Sequence, residues 1–311
     1  MYRENTEEKD AAFLKLYDGH DWKWFAVRLK HTDMEYLRKH WSSKKASAPT
    51  LEKKHDKYFL RFTYAEEVAL NRTPVKEQTI CSVDLGINTD AVCTIMRPDG
   101  TILGRKFINF PSDKDRMYRV LGRIRRFQRE HGSRQVQGRW AYAKRLNTEL
   151  GKKIAREIVF YASENRADVI VFEYLEMKGK LSGKKKQKLQ MWRKRDIQKR
   201  CGQQAHRKGI RISRICAWNT SRLAFDGSGK IDRDIQDHRL CTFQNGKRYN
   251  CDLSASYNIG ARYFIREILK PLPATERSLL EAKVPAVKRR TSCVYADLRD
   301  LISEMELRKA A

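Results

Sequence analysis

The chain has 311 residues, and 66 Lys and Arg set against 38 Asp and Glu leave it with a formal charge of +28 at neutral pH. Self-repulsion of this size destabilises a compact state unless a polyanion is close by, which points to nucleic acid as the partner. No apolar run reaches the length of about 18 residues that a membrane span needs, and the first residues are too acidic and polar for a signal peptide, so a cytoplasmic protein with its seven cysteines reduced is expected.

Residues 1–78 read as a small β-rich domain. Trp22-Lys23-Trp24-Phe25 and Tyr58-Phe59-Leu60-Arg61 open or form strand-like runs in which aromatic and basic residues interleave. The polar stretch 32–45 between them is expected to hold a short helix ending near Trp41. Two readings stay open: a surface that grips RNA by stacking and phosphate contact, or an ordinary small sheet whose aromatics are core.

Next come two apolar strands, Ile80-Cys81-Ser82-Val83-Asp84 and Ala91-Val92-Cys93-Thr94-Ile95-Met96, around a Gly86-Ile87-Asn88-Thr89 turn. Pro98-Asp99-Gly100 then turns the chain into a third strand at 101–107, completing a meander. Asp84 is out of place in such a strand. A lone buried carboxylate costs several kcal/mol, so Asp84 must lie at a strand edge, pair with Arg or Lys, or bind a metal.

Helices are expected at 113–130 and 135–164, broken at Gly132-Ser133, with Met117, Val120, Leu121, Ile124 and Phe127 at helical spacing. From Asp113 to Arg156 there are 14 Lys or Arg and 4 Asp or Glu. This excess favours phosphate contact, with Arg123 and Arg126 among the candidates, over a merely solvated face. The run 167–175 is apolar enough for a strand buried on both faces, and it ends in Glu173. Residues 178–200 carry 11 Lys or Arg against Asp196 alone. Lys184, Lys185 and Lys186 there either track a nucleic-acid strand or belong to a charged linker. A helix at 187–207 and a strand at 209–215 deliver the chain to Asn219-Thr220-Ser221. Asp252 then opens a helix, 252–269, with Leu253, Ser256, Ile259, Gly260 and Tyr263 along one side, stopped by Pro271. The tail 271–311 holds the basic patch Lys288-Arg289-Arg290 and a terminal helix at 294–309, with no chemistry assigned to it.

Three carboxylates at the ends of apolar elements, Asp84, Glu173 and Asp252, are tolerated together when cations neutralise them. Hard divalent ions held by carboxylate oxygens, activating a water and stabilising a leaving oxygen, meet that requirement. The ordered pattern Asp-Leu-Gly-Ile-Asn-Thr (84–89), Glu-Tyr-Leu (173–175) and Cys-Asp-Leu-Ser-Ala-Ser-Tyr-Asn-Ile-Gly-Ala-Arg (251–262), with Trp218-Asn219-Thr220-Ser221 ahead of the last, resembles the RuvC-like nuclease of TnpB proteins, the transposon-encoded relatives of type V CRISPR effectors.

The resemblance implies an RNase H-like α/β domain over 79–270, with a mixed sheet and flanking helices, behind the β-rich domain at 1–78. It implies an RNA-guided or RNA-associated DNA endonuclease with guide-like RNA and DNA as partners and no membrane. Two Mg²⁺ ions, replaceable by Mn²⁺, would be held by Asp84, Glu173 and Asp252; Asn219, Ser221 and Arg262 would contact nucleic acid, or Arg262 would pair with Asp252. Relatives have a longer N-terminal region, so the resemblance marks this chain as a short form without the recognition insert. Relatives also build a zinc finger from two Cys-x-x-Cys pairs, whereas Leu223–Gly229 stands where the first pair would be. A zinc site from His238, Cys241, Cys251 and a fourth ligand such as Cys216 has unconventional spacing, so zinc is not expected and 222–250 reads as a degenerate finger, a hairpin turning at Gln244-Asn245-Gly246-Lys247. A non-cleaving RNA- or DNA-binding regulator, or a remnant of such a nuclease, is the alternative.

Overall fold

The computed structural model describes residues 1–54, 56–132, 136–174 and 194–310. The chain divides into two compact units, Met1–Val68 and Ala69–Ala311, so the division falls ahead of the expected one at residue 78. The reason lies in residues 71–79, which are bonded into the second unit. Asn71 N donates to Gly209 O at 2.7 Å, Thr73 Oγ1 and Thr79 N both donate to the Asp168 carboxylate, and Tyr263 donates to Gln78.

In the first unit, β1 (Tyr2–Glu4), β2 (Ala11–Tyr17) and β3 (Trp22–Arg28) form an antiparallel sheet, followed by α1 (His31–Trp41). β4 (Lys45–Ala46) pairs with β7 (Tyr64–Ala65), and β5 (Thr50–Lys54) with β6 (Lys57–Arg61). The core is small: Ala11, Ala12, Leu14 and Met34 are its buried apolar residues. Asp10 ties α1 to the sheet by accepting from Arg38 at 2.6 Å and meeting His31 Nδ1 at 2.5 Å. The aromatics are not core, since Trp22 is 61% and Tyr58 65% exposed, and Trp24, Phe25 and Phe59 are exposed too.

The second unit is mixed α/β. β8 (Ile80–Asp84), β9 (Ala91–Met96) and β10 (Ile102–Ile108) form the expected antiparallel meander. α2 (Pro111–His131) and α3 (Gln137–Glu164) lead to β11 (Val169–Tyr174), which joins β8 in parallel. α4 (Lys194–His206) and β12 (Arg211–Cys216) extend the sheet in parallel, giving the order β10-β9-β8-β11-β12. The expected lysine cluster 184–186, and the start of the helix expected at 187–207, lie outside the described residues.

A strand repeats every two residues, so alternate residues serve opposite faces. Cys81, Val83, Ile170 and Phe172 pack against Ile154 and Ile158 of α3 and Ile197 and Cys201 of α4. Ile80, Val169 and Val171 pack on the other face against α5 (Cys251–Leu269) and α7 (Tyr295–Ala310), with α6 (Ala274–Lys283) alongside. α5 approaches closely because the facing residues are small: Thr94 Oγ1 meets Ser256 Oγ at 2.6 Å, and a Cβ on Gly260 would fall 2.8 Å from Met96 Cε. The insert ahead of α5 is a three-stranded antiparallel sheet of β13 (Asp232–Arg233), β14 (Leu240–Thr242) and β15 (Arg248–Asn250). Its last turn is at Gly246, which has φ 82°, as expected for 244–247. No helix among the described residues is long and apolar enough to cross a membrane.

Candidate active site

Strand parity brings the first two acids together. Asp84 shares its face with Ile80 and Ser82, Glu173 shares the same face with Val169 and Val171, and the register Val83↔Phe172 sets the two carboxylates at the carboxyl ends of adjacent parallel strands. That end of a parallel pair is where open α/β sheets place their ligands. α5 lies across this face, and its start supplies the third acid. Asn250 caps the helix by accepting from Leu253 N at 2.9 Å, which puts Asp252 in the first turn, where the helix dipole favours an anion. A Cβ on Gly86, two residues past Asp84, would lie 3.7 Å from Asp252 Oδ2, so the β8–β9 loop runs against the third carboxylate.

All three acids hold their protons more tightly than usual. Burial, then the charges of Glu173 and Asp252, push the Asp84 carboxyl well above the ordinary carboxylate range, with Arg233 pulling weakly the other way. Burial raises Glu173, opposed by a hydrogen bond from Thr220 and by the charges of Arg262 and Lys194. Burial also raises Asp252, opposed by a hydrogen bond from Thr89 and by Arg233 and Arg239. Among the described residues none of the three carboxylates forms an ion pair with Lys or Arg.

No three His, Cys, Asp or Glu side chains among the described residues close into one ligand set. Glu173 is held instead by the Thr220 hydroxyl. What fits a hard divalent ion is the donor chemistry: two buried carboxylates and a half-buried third, with Asp84 repelled by the other two and none of them ion-paired among the described residues.

Several groups around the acids were not anticipated from sequence. Fully buried Thr220 contacts both Glu173 Oε1 and Ala217 O. The hydroxyl donates to the Glu173 carboxylate, which favours its charged form, and its single hydrogen is shared with Ala217 O. Gln198 Nε2 donates to Glu173 O at 3.0 Å, and Lys194, almost buried, has its ammonium disfavoured by burial and favoured by Glu173. Thr220 was legible as the centre of Asn219-Thr220-Ser221, whereas Lys194 and Gln198 were masked by the general excess of charge on their segment.

The other candidates fall elsewhere. Asn219 occupies a left-handed turn at φ 63°, which Asn tolerates, and Ser221 O accepts from Arg233 at 3.2 Å. Arg123 and Arg126 are exposed on α2. Arg262 departs from both expectations, phosphate contact and pairing with Asp252. It is 5% exposed and donates to four main-chain carbonyls: Cys293, Cys216, Trp218 and Thr291. Of the zinc candidates, His238 is exposed with Nδ1 at Asp234 O, Cys216 is exposed, and Cys241 and Cys251 pack with Ala224 and Phe243 inside the small sheet.

Beside the acids a cavity of about 810 Å³ is lined by Gly86, Asn88, Lys114, Tyr118, Arg125 and Arg239 among others. Lys114 braces its rim by donating to Asn88 O at 2.6 Å and pairing with Asp90 at 3.3 Å. The loop has no room for a side chain at Gly86, where a Cβ would meet Thr89 O at 2.4 Å. Gly86→Ala is therefore expected to displace the loop, costing about 1–3 kcal/mol, and thermal unfolding beside a cleavage assay checks it.

No protein-family description and no curated protein matches the chain. Among solved structures it is similar to a Cas12f1–sgRNA–target DNA complex, at TM-score 0.48 and 18% identity over 67% of this chain and 54% of that one. It is also similar to a CRISPR-Cas12f ternary complex, at TM-score 0.44 and 16% identity over 75% and 49% of the two chains. A third is Alicyclobacillus acidoterrestris C2c1 with single-guide RNA, at TM-score 0.44 and 11% identity over 85% and 50%. The chain spans about half the length of these structures.

Proposed function

We propose that the chain is a divalent-metal-dependent DNA endonuclease of the TnpB type, working in association with RNA, on an RNase H-like fold. The observation that carries this reading is the convergence of Asp84, Glu173 and Asp252, remote in sequence, at one end of the sheet without an ion-paired Lys or Arg among the described residues. The strand order β10-β9-β8-β11-β12, a meander continued by two parallel strands, supports the fold assignment.

Asp84, Glu173 and Asp252 would hold Mg²⁺, or Mn²⁺ in its place. When bound there, such an ion supplies Lewis acidity at a phosphoryl oxygen and makes a coordinated water more acidic. Asp84 is flanked by the other two acids and sits where it can be shared between them. Thr220 and Gln198 fix the side chain and backbone of Glu173, holding it ready to orient an attacking water. Lys114, Arg125 and Arg239 line the adjoining cavity and suit the phosphates of the scissile strand. The exposed aromatics of β3 and β6, interleaved with Lys23, Arg28, Lys57 and Arg61, suit RNA bound by stacking and phosphate contact.

One observation favours the second reading, a non-cleaving RNA- or DNA-binding regulator: the three acids do not close into one ligand set. A single experiment separates the two. The chain is purified from its host with its nucleic acid, the bound RNA is sequenced, and the complex is incubated with matching DNA and Mg²⁺ or EDTA. EDTA-sensitive cutting is the expected result, and bound RNA without cutting establishes the regulator.

Thr220→Val tests the placement of Glu173. The Thr220 hydrogen bond lowers the proton affinity of that carboxyl, so its removal moves the acid limb of the cleavage profile to higher pH. A loss of about tenfold is expected near pH 6, shrinking as pH rises. A loss equal at all pH values would mean that Thr220 serves the loop alone.

A further inference from the structure

A second cavity, of about 960 Å³, opens on the β12 side of the sheet, where the loop after β12 meets α5, α6 and the segment before α7. Arg214, Arg266, Lys270, Lys288 and Arg290 line it, with Trp218 at its wall and Glu267 as its single acid. Arg266 uses Nε on Glu267, whereas Lys270, Lys288 and Arg290 have no carboxylate partner among the described residues. Arg262 lines it too, with its buried guanidinium hydrogen-bonded to main-chain carbonyls.

We propose that this groove binds the backbone of a single-stranded polynucleotide, with Trp218 stacking on an unpaired base. Charge complementarity favours a polyanion, because Arg214, Arg266, Lys270, Lys288 and Arg290 converge from three separate chain segments, β12, α5 and the stretch before α7, onto a concave surface. The indole selects among polyanions. Trp218 is 65% exposed beside those cations, and every base offers it a face, whereas an acidic peptide does not. A duplex keeps its bases stacked internally, so the indole favours a single strand. The position is also apt. Trp218 is two residues before Thr220, and Tyr174, next to Glu173, lines the same groove, so a strand lying there would continue toward the carboxylates. The tail, which the sequence left without a role, contributes Lys288 and Arg290. This site does not depend on the acids being catalytic.

The test uses the full chain carrying Asp84→Ala, so that binding is read without cutting. Anisotropy of a fluorescent oligothymidylate of about a dozen nucleotides is followed against salt. Combining Lys270→Ala, Lys288→Ala and Arg290→Ala is expected to reduce the steepness of log K against log salt by about 2, since each lost phosphate contact on a single strand removes about 0.7. Trp218→Ala is expected to weaken binding roughly tenfold, and Trp218→Phe to restore most of it. Thermal unfolding of each variant confirms that it folds. An oligothymidylate carrying a photoreactive thymine should crosslink to the peptide containing Trp218. An unchanged slope with crosslinks confined to other peptides overturns the proposal. So does displacement of the oligonucleotide by polyglutamate at equal charge with no effect of Trp218→Ala, which would make the groove a site for acidic protein segments.

Discussion

Asp84→Asn is expected to abolish Mg²⁺-dependent cleavage, by about a thousandfold or more, while making the folded chain more stable in EDTA. The two effects have one cause. Asp84 is held among apolar strand residues with two further carboxylates in electrostatic reach and, among the described residues, no cation paired to it, so its charge is unfavourable to the fold and available to a metal. Losing a metal-holding carboxylate removes several kcal/mol of transition-state stabilisation, and about 4 kcal/mol corresponds to a thousandfold. Amide for carboxylate keeps the shape and removes the repulsion. A gain of about 1–2 kcal/mol is expected, roughly 2–4 °C for each kcal/mol in a domain of this size.

The pH dependence fixes the sign. All three carboxyls are raised in the folded chain, so the folded state binds more protons than the unfolded one above the ordinary carboxylate values of 3.8 and 4.5. Stability contributed by the site therefore falls as pH rises from about 4 through the raised values. The advantage of Asp84→Asn over the parent should be largest at neutral pH and shrink toward pH 4. Mg²⁺ should stabilise the parent by about 2.7 kcal/mol at a hundredfold excess over its dissociation constant, raising its melting temperature, and leave the variant unchanged. A variant that is less stable than the parent in EDTA at neutral pH would mean that Asp84 is a paired structural acid.

What could be read from the sequence was whatever local pattern dictates. The apolar runs in 80–96 and the one ending at Glu173 specified three buried strands, and the apolar stripe that follows Asp252 marked α5. Their register, which the structure supplies, puts Asp84 and Glu173 on one face. Less was legible where long-range packing decides. Nothing local distinguishes the exposed aromatics of β3 from core aromatics, because strand alternation is the same whichever face is covered. The attachment of residues 71–79 to the second unit was not legible because the bonds of Asn71, Thr73 and Thr79 are made to residues near 168 and 209. The tail looked inert for the same reason, its contacts being with elements earlier in the chain.

Arg262→Met addresses that tail and is expected to be the most destabilising substitution in the second unit. The Arg262 side chain reaches Cys216 O at 2.9 Å and Trp218 O at 2.7 Å on the loop after β12, and Cys293 O at 2.8 Å and Thr291 O at 3.2 Å on the segment leading into α7. One turn earlier on α5, Asn258 repeats the arrangement, donating to Thr220 O and Leu223 O and accepting from Tyr295 N. The loop that holds Thr220 against Glu173 is thus suspended from α5 and braced by the tail. Methionine matches the length of the stem but leaves the carbonyls without their donor. The expected cost is about 3–5 kcal/mol, since buried acceptors lose hydrogen bonds from a charged group. Lysine should rescue little, because one ammonium cannot span the fork of a guanidinium. Were Arg262 a phosphate ligand, Arg262→Met would lower cleavage and leave the melting temperature unchanged. As a clamp it should lower both, and a truncation before Arg289 should do the same, since Thr291, Cys293 and Tyr295 are its far anchors.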